Sequence, residues 1–287
     1  MKSRLWLIYA LVTTAFWGVW GALMELPAKA GFPATLGYVV WAFTMIIPAA
    51  VALKLINWKL EYHKKAIIHG LIIGILGAGG QLILFHALLI GPAYLVFPII
   101  SLSPLVTILF SKFLLREKAS VRSWIGIILA LIAIPMLSYQ APGNSQAYGY
   151  FWIFLAMIIL FAWGIQAFFM KIANDHMKAE SIFFYMMLTG FFFIPVALMM
   201  TDFSQTINWG FKGPYLSALI QVLNAIGALT LVYAFRYGKA IIVSPLTNAG
   251  APVITIILSL IIYAFIPHIV ILIGMIIAVI AIFLMAE

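Results

Sequence analysis

Residues 5–25 read LWLIYALVTTAFWGVWGALME and meet their first charge only at the last position, Glu25. A helix needs about 20 mostly apolar residues to cross the hydrocarbon core of a bilayer, so this stretch is long enough to span it. The apolar region of a secretory leader is shorter, roughly 7–15 residues. Lys2 and Arg4 ahead of the run and Ala28-Lys29-Ala30 behind it are placed like a leader's flanks. The length of the run, and a counterpart deeper in the chain, identify it instead as a retained first helix. That counterpart is residues 150–171, YFWIFLAMIILFAWGIQAFFMK. Trp17-Gly18-Val19 recurs there as Trp163-Gly164-Ile165, 146 residues on, and Met24 recurs as Met170.

Read outward from these two runs, the chain predicts helices over 5–25, 34–53, 66–89, 93–113, 123–138, 150–171, 181–200, 214–235, 240–263 and 268–285. Of its 287 residues 66% are hydrophobic and 8% charged. Soluble domains carry about 25% charged residues, so too little charge remains here to cover a water-facing surface. The expected fold class is all-α integral membrane, with ten transmembrane helices as two inverted five-helix repeats. The absence of cysteine excludes disulfides, thiolate metal sites and thiol nucleophiles. The net charge of +9 does not mark a nucleic-acid partner, because the basic residues form short clusters between apolar runs and no continuous basic face.

Those clusters set an orientation, since cytoplasmic loops carry the excess of Lys and Arg. With the N-terminus inside, the inner segments hold Lys2, Arg4, Lys54, Lys59, Lys64, Lys65, Lys112, Arg116, Lys118, Arg122, Lys171, Lys178, Arg236 and Lys239, and only Lys29 and Lys212 fall outside. A miscount of one helix would scramble this segregation, so helix number and orientation support each other. Both termini are expected to be cytoplasmic.

The duplication continues beyond the first pair of helices. Pro48 matches Pro195, Gly80, Ala87 and Gly91 match Gly227, Ala234 and Gly238, and Pro98 matches Pro245, all 147 residues apart; Pro104 matches Pro252 at 148. A slowly drifting offset is what a duplication leaves after single-residue changes in loops. The polar, uncharged stretch Tyr139–Tyr148 (YQAPGNSQAY) divides the chain into a first repeat, 1–139, a linker, 140–149, and a second repeat, 150–287. Five helices is an odd number, so the second repeat runs through the membrane in the opposite sense. Secondary transporters use inverted repeats in this way, rocking two related halves about a central site.

The stretches His86–Ser138 and Tyr233–Ala286 each open on a helix end and Gly, continue with a Pro-bearing helix and a turn, and close on an apolar helix. With the Trp-Gly of helices 1 and 6 and the turn Leu115-Arg116-Glu117-Lys118, they resemble the paired domains of the EamA family in the drug/metabolite transporter superfamily. The second half departs from the pattern, with Phe265-Ile266 where the acidic turn would stand. The resemblance implies ten helices, a central cavity and transport of amino acids, nucleosides, sugars or other small metabolites.

Paired Pro interruptions in corresponding helices point to a binding site. Pro98 and Pro104 in helix 4, and Pro245 and Pro252 in helix 9, remove backbone donors, and the freed carbonyls are tolerated where they line a polar cavity; simple kinks are the plainer reading. On helix 9, Ser244, Thr247, Asn248, Ala251 and Thr255 fall on one face. Such small polar residues also serve in helix packing, but Asn248 brings an amide with four hydrogen-bonding positions to satisfy. Its counterpart is Ser101. Trp17 and Trp20 share a face of helix 1, as Trp163 and Gln166 do on helix 6, and Trp41 and Tyr185 sit midway along helices 2 and 7. Gln81 on helix 3 and Gln221 and Asn224 on helix 8 are further candidates for the lining. Gly70, Gly74, Gly77, Gly79 and Gly80 have the small-residue spacing of close helix packing, and no phosphate-loop pattern occurs, which excludes ATP-driven pumping by this chain alone.

Ionisable groups inside spans are functional candidates by default. Glu25 and His86, both toward the outer ends of their helices, are the candidates for gating or coupling, together with Pro98, Pro104, Pro245 and Pro252. Glu25 corresponds to Lys171, a reversal of charge between the repeats.

The function expected is secondary transport of a small neutral or zwitterionic metabolite by alternating access, with export one possible direction. The alternatives are a carrier of quaternary ammonium or other cations, held by cation–π contacts, and an intramembrane enzyme. An enzyme would need converging catalytic groups, whereas no carboxylate is read mid-span and His63, His69, His86, His176 and His268 are scattered near helix ends. The expected partners are a small-molecule substrate and the lipid bilayer, with a homodimer as a further option. Neither cofactor nor metal is called for. The expected location is the cell membrane, and the bacterial inner membrane in particular.

Overall fold

The computed structural model describes residues 4–140, 149–263 and 266–286. Lys2, Phe265 and most of the predicted linker lie outside the described residues. The regular structure of the described residues is helical, without a strand. Ten helices are numbered here in chain order. α1 is Leu5–Leu23, continued by the short Glu25–Lys29; α2 is Ala34–Thr44 and Ile46–Leu55; α3 is Lys64–Ile90; α4 is Ala93–Ser101 and Ser103–Phe113; α5 is Val121–Leu137. In the second half α6 is Phe151–Ala173, α7 is Ala179–Phe192 and Ile194–Met199, α8 is Leu216–Tyr237, α9 is Ala240–Tyr263 and α10 is Ile269–Met285. Eight of these are long and apolar enough to cross a membrane, while α5 and α10 are shorter apolar helices. The two short helices pack on each other, Gly126 against Met285 and Gly274 against Met136.

Helix ends follow local chemistry. The Nδ1 of His63 accepts from the Ala66 N–H and starts α3 at Lys64, two residues before the predicted boundary. α7 starts at Ala179 rather than 181, which draws Glu180 into its first turn. The outside of the bundle is apolar, with Ile8, Phe43, Ile47, Ile128, Phe154, Ile276 and Phe283 exposed, while Ala10, Ala22, Ala42, Ala130, Ala162 and Ala278 turn inward. This inversion suits lipid: tails are as apolar as Leu, so small residues that let backbones approach hold the helices together.

The two halves interleave. α1 of the first half packs on α8 and α9 of the second, and α6 of the second packs on α3 and α4 of the first. Matching bonds fasten both crossings: Thr107 Oγ1 donates to the Gly164 carbonyl at 2.9 Å, and Thr255 Oγ1 donates to the Gly18 carbonyl at 2.9 Å.

Cross-loop bonds define two ends of the bundle. At one, Lys239 Nζ donates to the Lys118 carbonyl at 2.6 Å, Lys171 Nζ donates to the carbonyls of Gly238 at 2.7 Å and Phe235 at 3.1 Å, and Tyr185 Oη donates to the Glu61 carbonyl at 2.8 Å. Trp6, near the start of α1, packs over Gly238 here, so this basic end holds the N-terminal helix start. At the far end, Asn208 Nδ2 donates to the Ala30 carbonyl at 2.9 Å and the Tyr139 ring lies 4.7 Å from His268.

Candidate functional site

A cavity of about 330 Å³ runs through the middle of the bundle. Met24, Ala34 and Phe85 line it toward the far end, and Phe235 and Ser244 toward the basic end. Its walls come from both repeats, because the interleaved packing brings α1, α2 and α3 opposite α6, α8 and α9.

Eleven of the residues singled out in the sequence for the lining meet there: Trp17, Trp20, Trp41, Gln81, Trp163, Gln166, Gln221, Asn224, Ser244, Thr247 and Asn248. Most are held by a local bond or a close neighbour. Trp20 Nε1 donates to Gln221 Oε1 at 3.0 Å, Trp17 Nε1 to the Asn224 carbonyl at 3.3 Å, and Trp163 Nε1 to the Gly77 carbonyl at 3.4 Å. Asn248 Nδ2 donates to the Ser244 carbonyl at 2.9 Å, and Thr247 Oγ1 to the Val243 carbonyl at 2.9 Å. Trp41 Nε1 is buried with no hydrogen-bond partner among the described residues, a donor left over on an aromatic wall. Gln166 packs on Gly77.

Two expected lining residues stand elsewhere. The Ser101 hydroxyl turns back to donate to the Pro98 carbonyl at 2.8 Å, and Ser103, beyond the break in α4, takes the lining position. Tyr185 packs on Gly70 and reaches Glu61 at the basic end. Its repeat counterpart, Tyr38, lines the cavity instead and donates through its hydroxyl to the Gly190 carbonyl at 3.1 Å. Tyr38, Phe85, Met24 and Met170 were not singled out as site residues; the repeat offset joining Tyr38 to Tyr185, and Met24 to Met170, was the available signal. Glu25 is exposed and paired with Lys29 at 2.7 Å, and His86 is exposed.

The prolines act in different ways. Pro98 precedes the break in α4 at Leu102, and Pro104 sits in the first turn of the segment that follows, where a missing N–H costs nothing. Pro245 and Pro252 lie inside an unbroken α9. Pro252 cannot donate to the carbonyl of Asn248 four residues back, so that carbonyl is freed on the segment that bears the lining amide.

None of the lining side chains is charged. Charge gathers instead at the basic end. Glu117 Oε2 accepts from the Ile241 N–H at 3.1 Å, capping α9 from the turn after α4. Burial raises the Glu117 carboxyl above the ordinary carboxylate range, against the opposing pull of the Ile241 and Ala240 N–H groups and of Lys171 and Lys239. His176, in the α6–α7 connection, is held below its ordinary value by burial and by the charges of His69, His63 and Lys65.

The EamA-like transporter family matches this chain twice, over residues 4–139 and 149–286. The chain belongs to that family. The two matches cover the two interleaved EamA repeats, and the chain is a multi-pass membrane protein of a transporter family. An uncharacterized protein of Methanocaldococcus jannaschii is 29% identical over 132 residues, which is 46% of this chain and 95% of that protein; it has the length of one repeat. A protein known from a crystal structure shares the EamA fold seen here, with a TM-score of 0.77 at 17% identity over 99% of this chain and 94% of that one.

Proposed function

We propose that this EamA protein is a secondary transporter that moves a small neutral or zwitterionic metabolite across the membrane by alternating access. The observation that carries the reading is an uncharged cavity, built from four Trp and five carboxamide side chains (Trp17, Trp20, Trp41 and Trp163; Gln81, Gln166, Gln221, Asn224 and Asn248), at the meeting of two inverted repeats. Stacking surfaces hold a planar or aliphatic body, and amides supply both donors and acceptors, so a solute of the amino acid, nucleoside or sugar class can be bound without a fixed charge. Rocking of the repeats about this site would open it alternately to the two ends. The basic end is cytoplasmic by the positive-inside rule, which puts both termini inside and the lining at Met24, Ala34 and Phe85 toward the outside. The same aromatic walls favour a second reading, a carrier of quaternary ammonium compounds through cation–π contacts.

The test is uptake or counterflow in proteoliposomes holding the purified full chain. A panel of radiolabelled neutral amino acids, nucleosides, sugars and choline separates the two readings. Saturable flux of a neutral or zwitterionic solute supports the first, and flux of choline alone supports the second. Absence of saturable flux for the whole panel overturns both.

A further inference from the structure

A second, smaller cavity of about 190 Å³ lies between α1 and α9. It shares Trp17, Trp20, Thr247 and Asn248 with the central cavity and continues past them to Ala251, Pro252 and Thr255. None of its lining side chains is charged. Its hydrogen-bond donors are nearly all engaged. The indole N–H groups of Trp17 and Trp20 reach the Asn224 carbonyl at 3.3 Å and Gln221 Oε1 at 3.0 Å. The hydroxyls of Thr247 and Thr255 donate to the carbonyls of Val243 and Gly18, each at 2.9 Å. Asn248 Nδ2 donates to the Ser244 carbonyl at 2.9 Å, which leaves one amide hydrogen over.

The groups left without partners are acceptors. A carbonyl can pair only with the nitrogen of an amide, so the bond to Ser244 fixes Asn248 with Oδ1 as its open end. The main-chain carbonyl of Asn248 lacks its helical donor as well, because residue 252 is a proline. Acceptors beside two indole rings, with hardly a donor and no anion, select a ligand group that is cationic and carries N–H.

We propose that this side pocket binds the ammonium group of a zwitterionic amine. The proposal rests on the transport reading and narrows its substrate class. Oδ1 and the main-chain oxygen of Asn248 accept two of the ammonium hydrogens, and the indoles of Trp17 and Trp20 attract its charge. A trimethylated head has no hydrogen for either acceptor, so the pocket favours the primary amine over the quaternary one. The carboxylate meets the opposite polarity in the central cavity. Gln221 has its Oε1 occupied by Trp20, which leaves the Nε2 hydrogens as its open end. Gln221 on α8 and Asn248 on α9 thus present a donor and an acceptor, complementary to the two charges of a zwitterion. A solute with an ammonium alone would bury an uncompensated charge, whereas a zwitterion brings its own counter-ion.

L-Leucine, N,N,N-trimethyl-L-leucine and 4-methylpentanoate share a body and a carboxylate and differ at the amine. Isothermal titration of the purified full chain with each of them tests the subsite. L-Leucine is expected to bind roughly tenfold or more tighter than 4-methylpentanoate, with the trimethylated form between them. Pro252→Ala returns an N–H to the Asn248 carbonyl. It is expected to weaken L-leucine roughly 10- to 100-fold, to leave the trimethylated form unchanged, and to hold or raise the melting temperature. Ala251→Leu fills the side pocket from a position outside the central lining and is expected to bring L-leucine down to the level of 4-methylpentanoate.

Equal losses for L-leucine and its trimethylated form in Pro252→Ala would report a change of helix shape, and overturn the proposal. Should Pro252→Ala fail to fold, unaltered L-leucine binding in Ala251→Leu overturns it equally. So does equal binding of L-leucine and 4-methylpentanoate to the parent, or binding of neither. The flux panel keeps the two failures apart. Saturable flux restricted to solutes without an ammonium group removes the subsite and leaves transport standing, while absence of all flux removes the transport reading itself.

Discussion

The indole of Trp17 lies over Gly227 and donates to the carbonyl of Asn224 at 3.3 Å. Its twin, Trp163, lies over Gly80 and donates to the carbonyl of Gly77 at 3.4 Å. Both contacts join one repeat to the other, and each glycine makes room for an aromatic wall of the cavity. A Cβ at Gly227 would come within 2.4 Å of Trp17, and one at Gly80 within 2.6 Å of Trp163. Gly227→Ala and Gly80→Ala should each destabilise the protein by about 1–3 kcal/mol, the usual cost of overpacking. Thermal unfolding of the two variants in detergent checks this, and a clear loss in one without the other would break the equivalence of the two contacts.

The spans were legible because a bilayer imposes a length on every apolar run, and the basic clusters between runs carry orientation. The interleaving was not, because nothing in the one-dimensional offset says that Thr107 reaches Gly164 or that Thr255 reaches Gly18. The α9 face was readable because Asn248 stands out among apolar neighbours. Tyr38 and Tyr185 show where repeat logic fails: an inverted duplication sends equivalent residues to opposite depths, and of the two only Tyr38 lines the cavity. The burial of Glu180 was not legible for a local reason: a charge beside an apolar run reads as its boundary, whereas α7 begins at Ala179, two residues before the expected start, and takes Glu180 into its first turn.

Acid should loosen the basic end through His176. In the unfolded chain this side chain takes a proton near the ordinary histidine value of about 6.5. In the fold, burial and neighbouring positive charge hold it lower, so the unfolded state binds the proton first as pH falls. The stability contributed by neutral His176 is therefore present above that ordinary value and lost progressively below it. Melting temperature should decline from pH 7 toward pH 5 in the parent and decline less in His176→Gln. Equal declines would remove His176 from the account.

Glu117 should act as a cap more than as a charge. Its folded carboxyl is raised, so ionisation weakens the fold as pH climbs from the ordinary carboxylate range through that raised value. Glu117→Gln keeps an acceptor for the Ile241 N–H and removes the buried charge, so its melting temperature at pH 7 should equal or exceed the parent's. Glu117→Ala loses the cap and should cost about 1 kcal/mol. A Gln variant less stable than the Ala variant would show that the charge itself is needed.

Five spans separate Tyr150 from Ala286, and Ala286 follows the end of α10 at Met285. Single cysteines placed at these two positions should react with an impermeant maleimide from opposite sides of the membrane. Reaction of both from one side would contradict the inverted arrangement of the repeats.

Asn248 is the residue on which the substrate reading stands or falls most directly. It lies on α9 between Pro245 and Pro252, lines the cavity, and uses Nδ2 to bond its own helix at Ser244. A bond of that kind adds little to the fold, since polar contacts in membrane helices average about 0.6 kcal/mol. Asn248→Ala should therefore express normally and melt near the parental temperature. A bound solute that loses its partner keeps a buried polar group unpaired, at about 1–3 kcal/mol, which corresponds to roughly 5- to 150-fold in affinity. Binding or uptake should weaken by that factor for whichever solute the flux panel identifies. If the amide serves helix packing instead, the variant will melt lower while the surviving protein binds as tightly as the parent. Melting temperature and affinity measured on one purified sample separate the two, and a loss of stability without a loss of affinity removes Asn248 from the site.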